Sequence, residues 1–167
     1  MGLAKIPSEW KKISAKYTAT SLSDKTISDF KKVYLHCLQE TFGDEKYWEQ
    51  IAKERPEEFA REWIDEPKNL FRNECSLIYL NKEVIGLYLV AYDEDDPKVG
   101  TIEFIGTIPK LRGRGIGLDL YRMTIMSLSR CGFKQYLGGT AQNNTPMIKL
   151  FEKMSQEIKL IIREDFE

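Results

Sequence analysis

Residues 107–117 read TIPKLRGRGIG: Thr107, Ile108, Pro109, Lys110, Leu111, Arg112, Gly113, Arg114, Gly115, Ile116 and Gly117. The stretch joins a run of β-branched residues, Val99 to Ile108, to an amphipathic pattern that starts near Gly115. Arg112, Gly115 and Gly117 form an R-x-x-G-x-G pattern, with Gly113 and Arg114 adding a further glycine and a further positive charge. Glycine lets a backbone approach a ligand with no Cβ in the way, and the unpaired amides and dipole of a helix N-terminus favour an anion. The pattern therefore predicts a strand, a phosphate cradle and a helix, in that order.

The flanks set this unit in an α/β context. The near-continuous apolarity of VGTIEFIGTI predicts a central strand over 99–108, interrupted by one charge, Glu103. Period-two geometry places Glu103, Ile105 and Thr107 on one face, so that Glu103 points the same way as the strand end beside the cradle. Downstream, Ile116, Leu120, Met123, Ile125, Met126 and Leu128 predict a helix closing near Cys131 and Gly132. Phe133 to Ala141 reads as a strand, and Gln142 to Thr145 as a turn. Asn144 or Thr145 caps a helix with Pro146 in its first turn and Met147, Ile148, Leu150, Phe151 and Met154 on its apolar face. Glu157 to Arg163 reads as a last strand.

Upstream, Met1 to Ser14 reads as a loose leader and Tyr17 to Leu22 as a first strand. Ser23 or Asp24 signals a helix start. Apolar residues from Ile27 to Phe42 recur at three-to-four spacing, predicting a helix that ends at Gly43. Asp44 to Asp65 is a second helical region, broken or restarted at Pro56, whose acids and tryptophans form either a solvated face or a cleft for a cationic substrate. Glu66, Pro67 and Lys68 read as a linker. Leu77 to Leu80 and Val84 to Tyr92 are two strands joined at Asn81, Lys82 and Glu83. Asp93 to Pro97 is an acidic turn.

Composition narrows the classes. With 167 residues, 42% of them hydrophobic, the chain suits one domain with a sizeable core, and a net charge of -1 gives no global attraction to nucleic acid or an anionic membrane. The basic patch Lys110, Arg112 and Arg114 is too short for a nucleic-acid footprint. Cys37, Cys75 and Cys131 are scattered and odd in number, which speaks for reduced thiols, and the single histidine, His36, speaks against a metal site. The first residues lack a signal-peptide core, and no run approaches the ~20 apolar residues of a membrane span, so a soluble cytoplasmic protein is expected.

Two phosphate-binding devices fail at the loop. A Walker A loop needs lysine and a hydroxyl after its last glycine, and a dinucleotide fingerprint needs a third glycine where Leu118 stands. The remaining arrangement of strand, proline, R-x-x-G-x-G and helix resembles the GNAT superfamily of N-acetyltransferases. The resemblance implies an α/β (α+β) fold with a mixed central sheet flanked by helices, in the order β-α-α-β-β-β-α-β-α-β, in one acyltransferase domain over 15–167. It implies acetyl-CoA as acyl donor. Arg112, Gly113, Arg114, Gly115, Ile116 and Gly117 would hold its pyrophosphate, and the main chain at Thr107 and Ile108 its pantetheine arm and thioester carbonyl. Asn144 would contact the pantetheine, with Phe151 on the same helix and Lys149 and Lys153 near the phosphates.

The activity implied is direct attack of a primary amine on the thioester in a ternary complex, with Glu103 as candidate base. A structural, ion-paired Glu103 is the alternative. The acceptor would be an amine-bearing small molecule or peptide. Two departures stand out: Phe151 replaces a tyrosine that many members use as general acid, and the chain after Met154 is short. They leave room for a non-catalytic acyl-CoA sensor on the same fold, and for a homodimer that completes the sheet.

Overall fold

The computed structural model describes residues 6, 8–22, 26–41, 44–61, 69–140, 142 and 144–157. The helix-start signals Ser23 and Asp24, the linker at Glu66 to Lys68 and the last strand over 158–163 lie outside them. One mixed sheet organises the chain, in the order β1 (Thr18–Ser21), β2 (Ser76–Leu80), β3 (Glu83–Tyr92), β4 (Gly100–Thr107) and β5 (Tyr136–Leu137). The first four strands are antiparallel neighbours, and β5 joins β4 in parallel. The β2–β3 hairpin turns on Asn81 and Lys82 alone, both at positive φ (50° and 66°), the left-handed pair that matches the twist of the flanking strands.

Helix α2 (Ile27–Cys37) covers one face of the sheet and α5 (Ile116–Arg130) the other. Phe104 packs edge-on against Tyr34 of α2, at 4.6 Å between ring centroids, and a Cβ placed on Gly106 would meet Cys37. On the opposite face, a Cβ on Gly100 would meet Leu128 of α5. Leu77, Leu87, Leu89, Leu120, Ile125 and Leu128 are fully buried between these layers. Each such side chain stabilises the fold by about 1.5–3 kcal/mol relative to exposure. Helix α6 (Thr145–Glu157) packs beside α5, and α3 (Asp44–Glu54) is followed by α4 (Pro56–Ala60), where Pro56 restarts the helix at its first position.

Four expectations change. The stretch read as a loose leader contains α1 (Trp10–Ser14), because Trp10, 1% exposed, buries its large apolar surface in the core. Helix α2 stops at Cys37, well before Gly43: Glu40 adopts a left-handed φ of 56° and the last carbonyls are taken by another part of the chain. Strand β5 is two residues long instead of spanning Phe133 to Ala141, since Gly138 and Gly139 offer no side chains to pack.

The fourth concerns Glu103. The β3–β4 register slips between Leu89 and Val90, which face Phe104 and Ile102, so Glu103 is the extra residue of a β-bulge. Its side chain bonds to that of Thr101 and lies near Tyr34, on the α2 face with Phe104 and Gly106. Thr107 instead points at α5, 3.9 Å from a Cβ built on Gly117. Glu103 and Thr107 therefore lie on opposite faces, because the bulge breaks the period of two.

Candidate active site

The end of β4, the loop after it and the N-termini of α5 and α6 converge. Strands β4 and β5 pair only at Gly100 with Tyr136 and Thr101 with Leu137, while β4 runs on to Thr107, leaving a gap along its outer edge among the described residues. The Ile108 amide donates to the Ile85 carbonyl at 2.8 Å. Gly86 and Thr107, which face each other, are therefore a non-hydrogen-bonded pair, and so are Tyr88 and Ile105 two residues on. The main-chain N–H and C=O groups of Ile105 and Thr107 consequently turn away from β3 and into the gap. Those of Ile108 are occupied, the amide by Ile85 and the carbonyl by Leu111 at 2.9 Å.

After a 3-10 turn at Pro109–Leu111, the chain passes through Gly113 (φ 79°) and Gly115 (φ 80°) into α5. Gly115 is the N-cap, in a left-handed conformation that costs a residue with a Cβ about 1–2 kcal/mol. A Cβ at Gly113 or Gly115 would meet nothing within 4 Å, so the loop is open on its outer side. The amides of Gly113, Arg114, Gly115, Ile116 and Gly117 donate no hydrogen bond among the described residues. Those of Ile116 and Gly117 are orphan donors of the helix start, those of Gly113 to Gly115 lead into it, and the positive end of the α5 dipole lies behind them. Gly117 lies between Leu150 of α6, whose Cδ1 is 3.4 Å from a Cβ built on the glycine, and Thr107 of β4.

The remaining expected residues are placed as follows. Asn144 caps α6, its Oδ1 accepting from the Met147 amide at 3.3 Å, and its Nδ2 donates to Thr140 Oγ1 at 2.9 Å. Lys149 and Lys153 are exposed on α6. Phe151 is buried edge-on against Tyr121, 5.7 Å between centroids, and lies 3.5 Å from a Cβ built on Gly138. Arg114 is exposed, whereas Arg112 turns back to donate to main-chain carbonyls at the end of α2.

An acyl-enzyme on cysteine finds little support in the thiols. Burial pushes Cys37 and Cys75 up to about 12 and Cys131 up to about 11, so thiolate is scarce near neutrality. Tyr121 and Tyr136, whose hydroxyls lie 3.2 Å apart beneath Phe151, are both raised by burial and stay protonated. Among the described residues, no helix is long and apolar enough to cross a membrane, and no group of three or more His, Cys, Asp or Glu could hold a metal ion.

The family profile described as "Acetyltransferase (GNAT) family" matches residues 29–155, about three quarters of the chain. The chain belongs to the acetyltransferase (GNAT) family. As a family member it is assigned to the acetyl-CoA-dependent acyltransferases. Solved GNAT structures share its fold. PaiA N-acetyltransferase from Thermoplasma acidophilum, in complex with coenzyme A, is 12% identical and superposes with a TM-score of 0.61, covering 83% of this chain and 87% of that one.

Aminoglycoside acetyltransferase meta-AAC0020 from an uncultured soil metagenomic sample is 10% identical, with a TM-score of 0.59 over 93% and 97% of the two chains. Arabidopsis thaliana Naa50, in complex with the bisubstrate analogue CoA-Ac-MVNAL, is 17% identical, with a TM-score of 0.53 over 83% and 82%. No curated protein sequence matches the chain significantly. The structure also brings Ile105, Thr101 and Tyr34 to this part of the fold, residues the sequence did not single out as candidates. The Thr101–Glu103 spacing carried a local signal; the other two needed the strand register and the packing of α2.

Proposed function

We propose that this GNAT protein moves an acetyl group from acetyl-CoA to a primary amine by direct attack within a ternary complex. The observation that carries the reading is the set of five amides, Gly113 to Gly117, that donate no hydrogen bond among the described residues, in the loop that follows the unpaired end of β4. A pyrophosphate fits them by charge, by donor count and by the absence of any Cβ at Gly113 and Gly115. Arg114 adds a solvent-facing charge, the outward main chain of Ile105 and Thr107 pairs with the pantetheine arm, and Asn144 and Lys149 of α6 are its further ligands in this reading. Phe151 forms part of the apolar wall under it.

Bound there, acetyl-CoA supplies an activated thioester. One of the two N–H groups, of Ile105 or of Thr107, is a fixed donor for the oxygen on which negative charge develops, and the other is left to the pantetheine arm. Glu103, raised out of the ladder by the bulge, takes the proton of an ammonium acceptor on the α2 side. Much of the rate enhancement comes from holding amine and thioester together. Phe151 has no hydroxyl to protonate the departing thiolate, which is a tolerable leaving group and takes its proton from water.

The acceptors of the structural relatives, an aminoglycoside acetyltransferase and a peptide-analogue complex, support an amine-bearing small molecule or peptide here. The test is release of free thiol from acetyl-CoA against a mixed amine library. Thiol release that depends on the amine supports the reading. Acetyl-CoA binding without release across the panel favours the acyl-CoA sensor, which the hydroxyl-free Phe151 also suits.

A further inference from the structure

Arg112 does not lie where a phosphate ligand is expected. Its Nη1 donates to the carbonyls of Gln39 at 2.8 Å and Glu40 at 2.9 Å, and its Nη2 to that of Cys37 at 2.5 Å. These are carbonyls at and just beyond the C-terminus of α2, where helical partners run out and a cation is favoured. The planar fork of a guanidinium spreads its donors over two terminal nitrogens and so reaches three such oxygens at once, whereas an ammonium has its three donors on a single nitrogen. The contact spans more than seventy residues of sequence and ties the loop directly to α2.

The far side of the same connector is also held. Thr41 donates through its amide and hydroxyl to Glu49 of α3, at 3.5 and 3.4 Å, and Glu49 in turn accepts from Lys53 at 2.8 Å. Residues 38–41 are thus pinned between the loop and α3, with Glu40 kept in its left-handed conformation. Three positions before its end, α2 carries Tyr34, packed on Phe104 at the bulge next to Glu103. One helix therefore touches the acyl-CoA loop at its tip and the strand bearing the base in its last turn.

We propose that Arg112 is a positioning residue: its side chain couples the acyl-CoA loop to the α2–α3 connector on the acceptor side of the site, and is not itself a ligand of the cofactor. The inference rests on the reading of 113–117 as the pyrophosphate site. An anion seated on those amides fixes the loop, and through Arg112 fixes the end of α2 and, through Thr41 and Glu49, its contact with α3. Arg114, one residue beyond the first glycine and facing solvent, carries the direct charge contribution.

The test combines calorimetry with coenzyme A and amide hydrogen exchange on the full chain, for the wild type, Arg112→Ala, Arg112→Lys and Arg114→Ala. In the wild type, coenzyme A should slow exchange at 38–41 about tenfold. Arg114→Ala should raise Kd about tenfold and keep that protection at saturation. Arg112→Ala should hold Kd within about threefold and lose the protection, with Arg112→Lys restoring it partly; if the alanine variant does not fold, the lysine variant decides, by losing most of the protection at near-normal Kd. Exchange at 38–41 that ignores coenzyme A in the wild type overturns the proposal, as does an Arg112 variant that keeps the protection or weakens binding as much as Arg114→Ala. A wild type that binds no coenzyme A overturns the underlying site reading instead.

Discussion

Thr101 Oγ1 donates a 2.7 Å hydrogen bond to Glu103 Oε1, so the bulge of β4 presents an oriented carboxylate on the α2 face of the sheet. Once an acceptor is identified, Glu103→Gln should lower kcat by about 10²- to 10⁴-fold, the usual range for a general base. Thr101→Val should give a smaller loss with little change in Tm, because the bond it removes is exposed. Unchanged turnover in Glu103→Gln would remove the residue from the mechanism.

Two glycines separate fold from function. A Cβ on Gly86 would lie 2.1 Å from the Gly106 carbonyl oxygen and 2.9 Å from Leu120 Cδ1, so Gly86→Ala must push β3 and β4 apart. It should cost about 3 kcal/mol in chemical denaturation, the upper range for overpacking. Gly115→Ala meets no neighbour, yet forces a Cβ into φ 80°. It should cost only about 1–2 kcal/mol while reducing coenzyme A affinity at least tenfold, read by calorimetry. Equal losses of stability in the two variants would refute the distinction.

Acid should weaken the α2–α3 connector first. The Glu49 carboxyl is held below its ordinary value of 4.5, chiefly by the hydrogen bond from Lys53 and further by the main chain at Thr41 and Glu40. A depressed folded-state value adds stability above the unfolded value and loses it as pH falls through the folded one. Between pH 5 and 3, Glu49→Gln should therefore lose less Tm than the wild type. A parallel decline in both proteins would show that Glu49 does not contribute to acid sensitivity.

The thiols should be slow. With Cys131 raised to about 11 and the other two to about 12, alkylation by iodoacetamide at pH 7.5 should lag far behind that of a free thiol, with Cys131 first to react. Mass spectrometry of the modified chain reads the order. Rapid modification of Cys37 at neutral pH would reopen an acyl-cysteine route.

The loop was legible in the sequence because its chemistry is local: glycine spacing, a preceding proline and a helix start all lie within 107–117. The central strands and the two main helices followed from periodicity, as Leu87, Leu89, Leu120 and Leu128 show by their burial. What escaped depends on contacts distant in sequence. The bulge at Glu103 arises from pairing with β3, and the early stop of α2 from an arginine in the loop. The same cause moved Glu103 off the face of Thr107 and turned Arg112 inward.

The central claim is that the amides of Gly113 to Gly117 hold the pyrophosphate of an acyl-CoA. The direct measurement is a two-dimensional amide NMR titration of the isotopically labelled protein with coenzyme A. The largest shifts should fall on Gly113, Gly115, Ile116 and Gly117, with smaller ones at Ile105 and Thr107, and pyrophosphate alone should reproduce the loop subset. Saturable binding that leaves those resonances in place and perturbs β1 or β2 instead would contradict it.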